Sequence, residues 1–345
     1  MGRSPEEQKH LEEITEALKL YEEESREFKR EVQLLVEKKY EEKRNTLANS
    51  YEKAIRDLEV LERKERLAMP HGGRAWRGWF PLGGELTSGR PDWKEGLYLG
   101  TELGEEHPRV VAGVPMHGRN LVPGDDVLPG LRQIIFEWMA EVTALGHRVM
   151  QGVAASLGLP ADYFARRYTA DPLILFRIFN YPSRPIPDGL DVRDGVGEHT
   201  DYGLLTLLRQ DSVGGLEVHA KSGWIEAPPV PESFVCNIGD MLDRMTGGLY
   251  RSTPHRVRLN SSGRDRLSFP LFFDPDFDAR IEPIRSAAID DHATRWDRAS
   301  VHAFEGTYGD YVLGKVGKVF PDLRRELQRA PAAPASSTSE PMRRS

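Results

Sequence analysis

His199-Thr200-Asp201 places two metal-donor side chains with a single residue between them, and Pro254-His255-Arg256-Val257 offers a second imidazole far downstream. Two imidazoles and one carboxylate can fill one triangular face of an iron(II) ion and leave the opposite positions open for oxygen and an organic co-substrate. On a strand or strand end, residues two apart point the same way, so His199 and Asp201 can share a metal while Thr200 turns aside. Arg266 and Ser268 repeat this spacing shortly afterwards. A fork of N–H donors beside a hydroxyl is a receptor for a carboxylate, so this pair would anchor a dicarboxylate. Each signal is weak alone, because an isolated histidine is more often a surface or satisfied core residue than a ligand; the combination carries the reading. The same donors would suit zinc, but the adjoining carboxylate receptor favours iron. The other histidines, including His71, His117, His147, His219 and His302, show no comparable pairing.

The elements that must position these groups are readable as changes of period. After Pro160 the apolar pattern shifts towards alternation, predicting strands at 174–181, 204–209, 215–219, 224–227, 233–237, 255–259 and 267–273. Short strands joined by Gly-rich turns imply a mainly β fold, a double-stranded β-helix or jelly roll flanked by helices, whose rolling brings His255 beside His199. Between 127 and 157, Leu131, Ile134, Ile135, Trp138, Val142, Leu145, Val149 and Val153 fall on one helical stripe suited to covering a sheet. Cys236 reads as a core residue, and as the single cysteine it excludes an intramolecular disulfide. Apolar strand residues such as Leu205, Leu207 and Phe272 are candidates for shielding the metal.

The front of the chain is different. About half of the first 66 residues are Asp, Glu, Lys or Arg, with no Pro beyond Pro5 and no Gly beyond Gly2. Leu11, Ile14, Leu18 and Tyr21, then Phe28, Val32 and Leu35, then Leu47, Tyr51, Leu58 and Leu61 form a narrow apolar seam. A long charged helix or helical hairpin is expected, either lying alone or on its own domain, or associating as a coiled coil with itself through residues 6–66. Pro70 and Gly72-Gly73 close it. The expected organisation is 1–67 charged helical, 68–170 loop-rich and helical support, 171–278 jelly-roll core, 279–328 C-terminal helices and 329–345 a disordered tail.

Across the 345 residues the formal charge is -7, and no basic stretch is interleaved with aromatics, so the partners expected are small molecules and not nucleic acid. No run approaches the ~20 apolar residues of a membrane span, and the acidic N-terminus does not read as a signal peptide. The expectation is a cytoplasmic protein with no membrane partner.

Four ordered motifs carry a resemblance: Gly197-Glu198-His199-Thr200-Asp201-Tyr202-Gly203, Asn237-Ile238-Gly239-Asp240, Arg251-Ser252-Thr253-Pro254-His255-Arg256-Val257 and Arg266-Leu267-Ser268-Phe269-Pro270. From about Leu67 to Leu323 the chain resembles the isopenicillin N synthase-like family of iron(II) and 2-oxoglutarate-dependent dioxygenases. Tyr308-Gly309-Asp310-Tyr311 and Lys318-Val319-Phe320-Pro321 resemble its C-terminal helices. The usual family front end is not recognisable before Leu67, and the segment around 40–67 is weakly similar to the helical lead-in of bacterial tetratricopeptide-repeat proteins.

This resemblance implies His199, Asp201 and His255 as iron ligands, with Arg266 and Ser268 clamping the distal carboxylate of 2-oxoglutarate. It places Tyr181 beside that carboxylate. Arg177 matches a position that reaches co-substrate or substrate in some members, with an ordinary surface arginine as the competing reading. Asn237 and Asp240 read as turn-fixing residues. The implied activity is oxidation of a small organic substrate with O2, releasing succinate and CO2. Two alternatives stay open: a relative that binds the substrate's own carboxylate without 2-oxoglutarate and performs ring closure or ethylene formation, and a non-catalytic metal-binding or interaction module.

Overall fold

The computed structural model describes residues 61–284, 301 and 303–320, together with the isolated positions 30, 43 and 46. The expected long N-terminal helix and seam, apart from a short helix at Leu61–Glu65, and the expected tail lie outside the described residues. The strands are β1 (Gly78–Phe80), β2 (Leu86–Thr87), β3 (Arg90–Pro91), β4 (Glu95–Gly100), β5 (Ile174–Tyr181) and β6 (Val196–His199). They continue as β7 (Leu205–Gln210), β8 (Leu216–Ala220), β9 (Gly223–Glu226), β10 (Val235–Ile238), β11 (His255–Val257) and β12 (Arg266–Phe273).

Two antiparallel sheets result. The larger has the order β1-β4-β5-β12-β7-β10 and the smaller β6-β11-β8-β9, with β2-β3 a separate hairpin. Residues of both sheets line one cavity of about 450 Å³, the arrangement of a double-stranded β-helix. Alternation decides what faces it. Arg266, Ser268, Pro270 and Phe272 of β12 line the cavity, while Leu267, Phe269, Leu271 and Phe273 are buried in the core on the opposite face. On β5 the cavity residues are Leu175, Arg177, Phe179 and Tyr181.

The outer face of the larger sheet is covered by the helix Leu131–Ser156, which meets β7 and β12. Ile135, Trp138 and Val142 are fully buried on its apolar stripe, each worth roughly 1.5–3 kcal/mol relative to exposure. Gly146 allows the Phe273 ring to approach: a Cβ there would sit 2.6 Å from it. The helix stops at a left-handed Gly158, whose N–H bonds the Ala155 carbonyl while Leu159 N–H bonds that of Ala154, the paired arrangement of a Schellman ending. A second helix, Tyr308–Val319, starts from a reciprocal Thr307–Asp310 capping box and lies against the cavity through Val312, Lys315, Val316 and Val319.

Each strand expected from alternation is present, with ends shifted by at most two residues. Five strands lie outside that expectation: β1, β2, β3 and β4 fall in the stretch expected to be loop-rich, and β6 in one expected as no more than a possible strand end. β4 hides because every residue of Glu-Gly-Leu-Tyr-Leu-Gly is buried, so no alternation survives; Gly96 is needed where the rings of Phe80 and Phe179 close in. Cys236 is exposed, correcting its expected place in the core. Its neighbour Asn237 faces the cavity, so Cys236 points away from it on the edge strand β10, where no further strand follows. Among the described residues no helix is long and apolar enough to cross a membrane.

Candidate active site

Strand pairing assembles the donors. In the smaller sheet His255 of β11 is the direct register partner of His199 of β6, which sets the two imidazole centroids 4.2 Å apart. Asp201 follows His199 by two residues and turns its carboxylate to both: Oδ1 is 3.9 Å from His199 Nε2 and 3.8 Å from His255 Nε2. One donor atom from each residue lies within 4.8 Å of the others, and this is the one such group of His, Cys, Asp or Glu found among the described residues.

The surrounding hydrogen bonds leave the right atoms available. His199 Nδ1 donates to the Gly197 carbonyl at 2.8 Å and His255 Nδ1 to the Thr253 carbonyl at 3.0 Å. A carbonyl only accepts, so the proton of each neutral ring sits on Nδ1 and both Nε2 lone pairs face Asp201. Asp201 Oδ2 accepts from Thr206 Oγ1 and Asn237 Nδ2, leaving Oδ1 towards the imidazoles. Burial, with His255 beside it, lowers His199 to about 4. Burial pushes Asp201 up, but the imidazoles and the Thr206 and Asn237 hydrogen bonds outweigh it and hold the carboxyl below its usual value. Neutral imidazoles and an ionised carboxylate with outward lone pairs are the donor set that a divalent iron ion requires.

Arg266 is 1 % exposed. Its Nη2 donates to Gln210 Oε1 at 2.8 Å, while Nε and Nη1 are buried without a hydrogen-bond partner. The Tyr181 ring lies 4.7 Å from the guanidinium and its hydroxyl interacts with Ser268. Burial raises the Tyr181 pKa, so the phenol stays a hydrogen-bond donor. These orphaned donors around a buried cation fit the carboxylate of a small dianion such as 2-oxoglutarate.

Arg177 also lines the cavity, which removes the reading of an ordinary surface arginine. It belongs to a buried network with Glu85, Lys94, Asp92 and Tyr98. Lys94 is 2.7 Å from Glu85 and 2.5 Å from Asp92; its own burial works against its charge, but the two carboxylates outweigh that and raise its pKa. At the same side lies Asp274, whose Oδ2 accepts from Tyr308 at 2.6 Å and whose carboxyl is pushed up to about 7 by burial.

The structure therefore brings His199, Asp201 and His255 together and lines the same cavity with Arg266, Ser268, Tyr181 and Arg177. Leu205 and Leu207 do not shield it; they face the core, and Thr206 and Leu208 occupy the cavity side of β7, with Phe272 on β12 as expected. Asn237 does more than fix a turn, since it braces Asp201. Gln210, Thr206, Glu85 and Lys94 were missed. For Gln210 and Thr206 the signal was available, as both sit in phase with Leu208 on a recognised strand; Glu85 lies in a segment without periodicity.

Comparison with known proteins bears on the same site. The family model of the 2OG-Fe(II) oxygenase superfamily matches residues 170–275, and the model described as non-haem dioxygenase in morphine synthesis N-terminal matches residues 39–125. The second match begins well before Leu67, where the resemblance had been read to start. A probable iron/ascorbate oxidoreductase of Dictyostelium discoideum is 53% identical over 307 residues, covering 79% of this chain and 85% of that protein. A 1-aminocyclopropane-1-carboxylate oxidase of Dictyostelium mucoroides is 39% identical over 293 residues, covering 76% and 79%. Among solved structures, a full-length Neurospora crassa protein in complex with alpha-KG (2-oxoglutarate) superposes with a TM-score of 0.63 at 28% identity, covering 80% of this chain and 83% of that one.

Proposed function

The chain belongs to the 2OG-Fe(II) oxygenase superfamily, and on that premise we propose that it is a dioxygenase that oxidises a small organic substrate while converting 2-oxoglutarate to succinate and CO2. Iron(II), 2-oxoglutarate and O2 are the cofactor set of this family. His199, Asp201 and His255 would hold the iron; Arg266, Ser268 and Tyr181 would hold the far carboxylate of 2-oxoglutarate. Bound there, iron supplies the activation of oxygen that no side chain can provide.

The observation that carries the reading is the buried guanidinium of Arg266, with two unpaired donors, in the cavity that also holds the triad. An unpaired buried cation is costly unless an anion occupies the space beside it. The protein's own contribution is orientation and exclusion of water. Thr206 and Asn237 hold the rotamer of Asp201, backbone carbonyls hold both histidine protons on Nδ1, and Leu175, Phe179, Leu208, Val257 and Phe272 give the cavity apolar walls. Such walls strengthen the electrostatic interactions between them.

Anaerobic titration of the protein with iron(II) and 2-oxoglutarate tests the reading. A weak visible absorption band of the chelate is expected to appear and saturate with both components, followed by O2 uptake and succinate formation on aeration. A protein that forms no band and consumes no oxygen with any 2-keto acid is not such an enzyme. The likeness to an oxidase of 1-aminocyclopropane-1-carboxylate supports a second reading, in which Arg266 and Ser268 hold the substrate's own carboxylate. Succinate formed in step with substrate loss separates the first reading from the second.

A further inference from the structure

In the smaller sheet the pairing of β6 with β11 slips beside the metal site. His199 faces His255 and Val196 faces Val257, so three steps along β6 span two along β11. Gly197 and Glu198 therefore form a bulge, a device that re-aims a neighbouring side chain, and the side chain it aims is that of His199. β6 is also an edge strand, so no further strand fixes the backbone groups on its outer side.

Side chains of the β2–β3 hairpin take the place of that strand. Asp92, directly after β3, accepts the Gly197 N–H on Oδ1 at 3.2 Å. Ser88, at the hairpin tip, donates its hydroxyl to the Glu198 carbonyl at 3.3 Å. These two bonds pin the peptide planes before and after the one that carries the Gly197 carbonyl. That carbonyl is the acceptor for His199 Nδ1 at 2.8 Å. Glycine turns more freely about its backbone than any other residue, so the acceptor keeps its direction because its neighbours are tied down. A neutral imidazole keeps its proton on Nδ1 while an acceptor is held there.

The brace is itself fixed. Asp92 is 2 % exposed. Its Oδ2 accepts from Lys94 Nζ at 2.5 Å and from Thr87 Oγ1 at 2.8 Å, while its backbone N–H bonds the Glu85 carbonyl and its carbonyl accepts from Gly83 N–H. Three donors converge on two carboxylate oxygens, and turning the group forfeits at least one charge-assisted or buried bond. The hairpin closes through Ser88 and Gly89, both left-handed at φ 53° and 79°, a tight two-residue turn. Leu86, Thr87, Ser88 and Gly89 line the cavity and Asp92 does not. The carboxylate works from behind the wall.

Resting on the dioxygenase reading above, we propose that Asp92 is a positioning residue of the iron site. Through the Gly197–Glu198 bulge it holds His199 in the Nδ1–H form with Nε2 turned to the metal, and through Thr87 it fastens that ligand to the hairpin that walls the cavity. His255 is outside this linkage, because its Nδ1 is held by the Thr253 carbonyl. A disturbance of the hairpin thus reaches the metal through one imidazole and not the other.

The test reads the two rings separately. Two-bond 1H–15N spectra of the metal-free protein at pH 8 report the tautomer of each imidazole, with signals assigned by their loss in His199→Gln and His255→Gln. The wild type is expected to show Nδ1–H at both positions. Asp92→Asn sets an amide donor against either Gly197 N–H or Lys94; His199 should become a mixture of tautomers while His255 keeps its Nδ1 proton. Iron(II) affinity of that variant, read by competition with a chelator, should fall ~10- to 100-fold. Thr87→Val keeps the shape of the hairpin and the Lys94–Asp92 pair, and should weaken iron(II) about 3-fold with a smaller tautomer change at His199 alone. A folded Asp92→Asn protein with both readouts as in wild type, or with His199 and His255 altered alike, overturns the assignment. Should Asp92→Asn not fold, wild-type tautomers and iron affinity in Thr87→Val overturn it instead. A wild type that binds no iron(II) defeats the dioxygenase reading by itself, and the metal-free tautomers still decide what Asp92 does.

Discussion

Arg266 and Arg177 stand on neighbouring strands of one sheet and line one cavity, yet their surroundings differ in charge. Arg266 is met by Gln210, Tyr181 and Ser268, all neutral, whereas Arg177 is balanced by Glu85 within a network that also holds Lys94 and Asp92. The first retains an uncompensated buried charge and so demands an anion. The second has its charge answered by protein and offers mainly geometry. The cavity therefore pairs an end with an unanswered positive charge with an end whose charges are answered within the protein.

The triad lines the same cavity and carries the metal donors, so breaking it gives the largest expected effect. His199→Ala should reduce iron(II)-dependent O2 uptake by at least ~10³-fold, measured against an unchanged melting profile of the metal-free protein. Wild-type uptake in that variant would mean that the cavity is not organised around this metal site.

Arg266→Met comes next and tests the charge asymmetry directly. Affinity for 2-oxoglutarate, read from the chelate band, should fall by ~3 kcal/mol, on the order of 100-fold. The same change should leave the ligand-free fold as stable or more stable, because it removes an unpaired buried cation. A strongly destabilised variant would show that Arg266 is a structural cation and that the two ends are more alike than argued.

A smaller effect separates a turn residue from a ligand brace. Asn237→Leu removes one of the two hydrogen bonds to Asp201 Oδ2 and should weaken iron binding by ~10- to 100-fold in an otherwise folded protein, measured by competition with a chelator. Metal affinity equal to wild type would return Asn237 to a purely local role.

An effect of similar size, on stability and not on binding, sharpens the picture at the Arg177 end. Burial pushes Asp274 up to about 7 from the ordinary 3.8, so between roughly pH 4 and 7 the folded chain holds a proton that the unfolded chain releases. Its contribution to stability therefore falls as pH rises through that window and levels above it. Asp274→Asn keeps an acceptor for Tyr308 and should stabilise the metal-free protein at pH 8 relative to pH 5 by about 1–3 kcal/mol, read from denaturant midpoints. The same gain at both pH values would contradict a protonated Asp274.

What the sequence made legible follows the range of the interaction. His199 with Asp201, and Arg266 with Ser268, are two-residue patterns on strands, and alternation determines that such pairs share a face. Glu85 meets Arg177 across 92 residues and Asn237 meets Asp201 across 36, and no local pattern encodes either contact. β4 escaped notice because burial on both faces erased its alternation, and Cys236 was misplaced because residue type was weighed above strand phase.

By itself, the chain's order of residues determined the chemistry available: two imidazoles, one carboxylate and a guanidinium–hydroxyl pair in phase on strands that alternate. Only the tertiary structure decided that His199 would face His255 in register, that Arg266 would be left without a counter-charge, and that Arg177 would be tied to Glu85. Alternation is a property of each strand and is written locally. Which strands lie side by side, and which charges are buried together, is settled by the packing of the whole molecule, where the loss of water makes every pairing or its absence count.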